Sequence, residues 1–406
     1  MHILNGYQQF NGRHPETGSV HNVLAYQGVT APHTGQPYTE AFLLGVSGGI
    51  TFGYFTFDYA GYAPILSLLT RNTFDPLQTM LERLGIRQTI LQTSKPEPGE
   101  KNLKEALANG HPAIVWADLF SLPYNGLPPD ANNWDMQPVV VYGLENSTAY
   151  LAGRSVQPLK IPAVVLTAAR ARVKKDKFRV VTLDPPDETK LFAAVQQGIW
   201  QCIQLYIEKP PRGTVENFGF AALQKWANML TNTRNPQSWE RLFPAGPRMF
   251  SALAGGAYLP GAYGWIVHWG TRPDADRSTY ADFLDEAAII LNKPDLSGAG
   301  ERFRESGTLW KNLANALLPE DVPVLGEARR LKDRRHRLFQ DEGAEAEAEI
   351  REINSRLEAL REAASQSFPF SPETAADFRA QLKEQVLLIY DKEREAIEEL
   401  SRVISQ

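Results

Sequence analysis

The chain has 406 residues, 43% hydrophobic and 22% charged, with a formal net charge of −5. This is enough material for two or three domains and the composition of a soluble globular protein. The weak negative balance argues against a nucleic-acid partner, no apolar run is long enough to span a bilayer, and one cysteine, Cys202, allows no internal disulfide.

MHILNGYQQF lacks a basic region leading into an apolar run, so no signal peptide is expected and the protein is assigned to the cytoplasm. The segment FNGRHPETGSVHNVLAYQG, 10–28, follows. Its apolar residues Val20, Val23 and Leu24 are spaced for one helix face, which predicts a helix over 16–27. Pro15 suits the first helical turn, where its missing N–H costs nothing and its φ is already helical. His14 precedes that proline and is expected to be extended. Glu16 favours the helix start electrostatically.

Further helical patterns occur at 38–46, 75–84 and 101–109, and strand-like runs at 86–92, 112–118, 138–144, 148–152 and 178–183. The glycine-rich run 45–53 has no strand before it and no clear helix after it, so it reads as close packing or a tight turn rather than a nucleotide loop. The Pro-Pro pair in LDPPDETK, 183–190, marks a linker. Two domains are expected, 1–188 and 189–406, the second nearly all helical, with helices at 191–208, 215–232, 274–292, 297–317, 322–366 and 373–404. Around Pro369 the last two are expected to form an antiparallel hairpin, with a dimerising coiled coil as the less favoured use of the same apolar stripe. The charge-dense stretch 329–342 carries both signs and reads as a solvated face. Cys202 lies on a helix apolar around most of its circumference and reads as a core residue. The seven histidines have no zinc-site spacing, so no metal and no cofactor are expected.

Several motifs together resemble the butirosin biosynthesis protein H family. They are Phe10, Gly12, His14, Pro15, Glu16 and Thr17, then Gly45, Gly48, Gly49 and Phe52, then Gly110 through Asp118 with Leu122-Pro-Tyr124, then Gln137 through Gly143, Tyr150 through Arg154, and Ala168 through Arg170. In the second half, Arg277 through Ala288 and Trp310 are similar to that family's helical partner domain. The resemblance implies an α+β, papain-like fold related to bacteriocin-processing cysteine peptidases, followed by an all-helical domain. It also implies transfer of an acyl group from a carrier-protein thioester to an amine. In that alignment the family's cysteine falls at Pro15, its histidine near Gln137 and its aspartate at Gly153. A Cys–His–Asp unit needs a thiolate, an imidazole and an orienting carboxylate, and all three are replaced.

The expectation is therefore a catalytically degenerate acyltransferase-like protein that holds a small molecule, a peptide or an acyl-carrier-protein arm in the former active-site cleft. The candidate lining is His14, Glu16, Ser19, Asp118, Tyr124, Trp265, His268 and Trp269, the last three from an aromatic stretch that equally suits a domain contact. Ser19 lies one turn after Pro15, but His21 is poorly placed to serve as its base. Gln137 is expected to plug the former histidine position by hydrogen bonding. Two other readings stand beside this one. One is an active acyltransferase that dispenses with cysteine, using Ser19 or direct aminolysis positioned by His14. The other is an interaction protein working through its C-terminal helices, including self-association.

Overall fold

The computed structural model describes residues 2–127 and 134–406. The chain divides into two compact units: one holds residues up to 43, 80–190 and 334–354, the other 44–79, 191–333 and 355–406. The chain therefore passes between units at five points, of which the linker near 190 is one.

The strands, in chain order, are β1 (His2–Ile3), β2 (Ile50–Phe57), β3 (Ile65–Arg71), β4 (Gln88–Leu91), β5 (Ala113–Asp118), β6 (Met136–Glu145), β7 (Thr148–Ala152), β8 (Leu159–Pro162) and β9 (Val180–Leu183). In the first unit they form one antiparallel sheet of order β4-β9-β5-β6-β7-β8, with β1 also paired to β6. Strand β6 is buried over seven successive residues, 138–144, as expected of Val-rich sequence covered on both faces. Helix α1 (Pro15–Tyr26) packs against β6, burying Val20, Val23 and Leu24 completely. The unit is thus of mixed α+β character.

The second unit is helical apart from the hairpin β2–β3. That hairpin escapes sequence reading because the first five residues of β2 are all buried and show no alternation, and because its pairing shifts register near Gly53. The glycines before it serve close packing. A Cβ on Gly45 would lie 2.1 Å from the Phe283 ring, and Gly48 and Gly49 turn at φ +105° and +70°. Strand β8 is a further strand that the sequence reading does not include.

Two helical expectations are corrected. The span 322–366 is not one helix but two, Pro323–Glu342 and Glu347–Gln366, interrupted at Gly343 with φ +61°. The final helix, Pro372–Ser405, does not pair with its predecessor as a hairpin; it packs against the helices Asp295–Leu317 and Gly219–Thr231. Its apolar stripe of Leu382, Val386, Ile389, Ala396, Ile397 and Leu400 is buried by these contacts. The stretch 329–342 is not simply a solvated face either. Leu331, Lys332, Leu338 and Phe339 are buried, and burial pushes the Arg335 guanidinium down to about 10, with Arg154 adding to the effect.

A buried ionic network sits at the centre of the second unit. Glu393 accepts hydrogen bonds from Arg277 Nε (2.6 Å), Trp310 Nε1 (2.7 Å), the Tyr206 hydroxyl (2.8 Å) and the Ser306 hydroxyl (3.0 Å). Arg277 also donates to the carbonyls of Thr51, Thr70 and Ala275. Its guanidinium lies 4.9 Å from the Trp310 ring centre. Cys202 is fully buried beside this network, its Sγ 3.3 Å from the Ile50 carbonyl, and burial pushes the thiol up to about 12. Removing one partner of such a pair strands a charge, whereas replacing both with apolar groups does not. Glu393→Ala should therefore cost about 3–5 kcal/mol, and Arg277→Met combined with Glu393→Leu distinctly less, read from urea midpoints at constant slope.

Candidate functional site

The first unit places α1 so that its N-terminus opens onto the β6–β7 edge. His14 is the N-cap, extended at φ −113° and ψ 142°, and accepts from the Glu16 N–H at 3.4 Å through Nδ1. Pro15 is the first helical residue. The turn before it is tightly tied. Glu40 accepts from the Arg13 and His14 N–H groups and from the Thr17 hydroxyl, and Asn22 Oδ1 accepts from the Gly12 N–H at 3.1 Å. A Cβ on Gly12 would lie 2.6 Å from the Gly18 carbonyl, so the entering chain needs glycine to cross the helix this closely.

In the sheet, Val140 pairs with Ala152, which carries Gly153 alongside Val139, two residues from Gln137. Accordingly Pro15, Gln137 and Gly153 line one cleft, together with His14, Ser19, Tyr124, Asn125, Arg154 and Phe339. Leu119, Leu122, Val139, Ala117 and Ala152 supply apolar wall. The free volume is about 30 Å³, enough for a water or two or one small functional group.

The polar groups here are passive. Ser19 Oγ donates to the Pro15 carbonyl at 2.5 Å, the usual back-bond of a helical serine. His21 Nδ1 is 2.7 Å from the Tyr38 carbonyl, and His21 is absent from the lining. Gln137 Nε2 donates to Asp135 Oδ2 at 2.7 Å. Burial holds the Asp135 carboxyl above its usual range despite that hydrogen bond and the nearby Arg154 guanidinium.

Of the other residues expected in the cleft, Glu16 and Asp118 do not line it. Asp118 is fully buried and ties the loop after β5, accepting from the Phe120 and Asp135 N–H groups, the Ser121 hydroxyl and Arg172 Nε. Trp265, His268 and Trp269 belong to the second unit and are also absent from the lining. There His268 Nε2 and the Tyr263 hydroxyl both reach Asp333 Oδ1, at 2.9 and 2.8 Å, while the Trp265 and Trp269 rings stand 4.4 Å apart. Burial pushes Asp333 up, but the His268 and Tyr263 hydrogen bonds and Arg329 leave it lower than usual.

Sequence reading missed Asp135, Arg154 and Phe339 as site residues. Arg154 was visible as a charge two residues beyond a strand end, and Phe339 as an aromatic inside a charged helix. Asp135 gave no signal apart from standing two residues before Gln137.

Residues 14–153 match the family described as butirosin biosynthesis protein H, N-terminal. No curated protein matches the chain. Among the described residues no helix is long and apolar enough to cross a membrane.

The Asp135 shift has a stability consequence. A carboxyl held above its unfolded value favours the fold in its protonated form, so its contribution is present below the unfolded value and lost as pH rises through the folded one. Asp135→Asn should therefore raise the urea midpoint relative to the native chain at pH 7, and raise it less at pH 4.

Proposed function

We propose that the first unit is a papain-like acyltransferase scaffold of biosynthetic origin that has lost covalent catalysis and now binds a ligand in its former active-site cleft. The observation that carries this reading is the convergence of Pro15, Gln137 and Gly153 on one cleft. These are the positions where the family resemblance puts thiol, imidazole and carboxylate. Proline there keeps the helix start and supplies no nucleophile. Gln137 fills the histidine position and is held by Asp135, so an orienting carboxylate is present, but on a side chain that cannot shuttle a proton. A serine mechanism is disfavoured because the Ser19 hydroxyl is committed to the Pro15 carbonyl. The ligand class is a small molecule, a peptide end or the arm of a carrier protein.

The test uses the full chain with an S-acyl pantetheine, the reactive end of a carrier arm. Intact mass should show no acyl adduct at neutral pH, and thioester loss with or without an added amine should match the protein-free rate. An adduct, or turnover that His14→Ala and Ser19→Ala abolish, would overturn the reading.

A further inference from the structure

Most donors that line the cleft are already used. Ser19 is bonded to Pro15, Gln137 to Asp135, and Asn125 Nδ2 to the carbonyls of Leu119 and Leu122 at 2.9 and 3.3 Å. His14 has its own partners. Two donors are different. Among the described residues neither the Arg154 guanidinium nor the Tyr124 hydroxyl has a hydrogen-bond or ion-pair partner.

Arg154 is half-buried, with its guanidinium 5.4 Å from the centre of the Phe339 ring. Phe339 in turn lies against Tyr124, the ring centres 5.8 Å apart and 27° from parallel. Tyr124 is only 4% exposed. Burial pushes the Arg154 guanidinium below its usual range, and Tyr124 and Asp135 act on it only through space. Burial likewise pushes the Tyr124 hydroxyl up, so it stays a neutral donor. A half-exposed guanidinium whose five N–H groups have no protein partner among the described residues is open to a ligand that enters the cleft. Asp135, the carboxyl that acts on Arg154 through space, is raised by burial and already bound by Gln137. Arg335 adds a second positive charge in the neighbourhood.

We infer that the cleft anchors a carboxylate of a small, otherwise apolar ligand on the Arg154 guanidinium and the Tyr124 hydroxyl. This rests on the cleft being a non-covalent binding site and specifies what it holds. A planar carboxylate matches the guanidinium fork in two parallel hydrogen bonds. Leu119, Leu122, Val139 and Phe339 offer the rest of the ligand apolar contact. Inorganic phosphate, with four tetrahedral oxygens and more charge, would face a single lining guanidinium in a free volume of about 30 Å³.

The experiment measures the Kd of propionate and of propionamide for the full chain by saturation-transfer NMR at constant ionic strength, with inorganic phosphate as a further probe. Propionate should bind about tenfold or more tightly than the isosteric amide. Arg154→Gln should remove that preference. Tyr124→Phe, which keeps the ring against Phe339, should weaken propionate about three- to tenfold and leave propionamide nearly unchanged; Arg154→Lys, which retains charge but not the fork, should fall between. Near-UV circular dichroism checks that each variant is folded, and should Arg154→Gln fail, the Tyr124 and lysine variants decide. Equal binding of acid and amide, or a preference that survives these changes, would overturn the anchor while leaving the cleft a binding site. Tighter binding of phosphate would overturn the carboxylate assignment. Absence of binding by either propionate or propionamide would defeat both the anchor and the cleft reading.

Discussion

Strand β6 is the constraint on which the candidate site depends. It pairs with β1, β5 and β7 and carries α1. Its register with β7 fixes Gly153 near Gln137, and its buried Val-rich face fixes where the N-terminus of α1 points. A one-residue slip would turn every side chain of the strand to the opposite face, and burial over seven successive residues leaves no face indifferent to such a slip. The geometry of the cleft is therefore inherited from core packing rather than from the cleft's own interactions.

Against that rigid background the site residues are chemically quiet. On the proposed reading, Pro15, Gln137 and Gly153 stand where the family resemblance puts a nucleophile, a base and an orienting group. The surroundings meanwhile remain ordered: Glu40 binds the turn that leads into Pro15, and Asp135 binds Gln137. Helix capping, strand pairing and loop anchoring need no reactive side chain at those three positions. Arg154 and Tyr124 bring hydrogen-bond donors to the cleft, which suit the recognition proposed for it.

Much of this was legible in the sequence where a local rule acted alone. The Pro15 helix start, the extended His14, the five named strands of the main sheet and the long terminal helix follow from turn chemistry and periodicity. Arg277 and Trp310, singled out by resemblance to the helical partner domain, proved to hold the buried Glu393 network. What stayed hidden was decided by distant partners. Strand β2 is buried over its first five residues and shows no alternation there, so only its burial reveals it. The break at Gly343 is a single positive φ in an otherwise continuous helical pattern. Asp118 resembled a cleft acid but anchors a loop, and His268 serves Asp333 in the second unit. Phe339 reaches the cleft from a segment nearly two hundred residues later in the chain, which no local pattern could announce.

The most direct measurement of the central claim asks whether these three positions still share one reactive geometry. Pro15→Cys alone should give a thiol alkylated by iodoacetamide at an ordinary rate near neutral pH. Adding Gln137→His and Gly153→Asp should raise that rate about tenfold or more, as an adjacent imidazole stabilises the thiolate. Equal rates in the single and triple variants, both folded, would show that the three positions do not form the remnant of one catalytic unit.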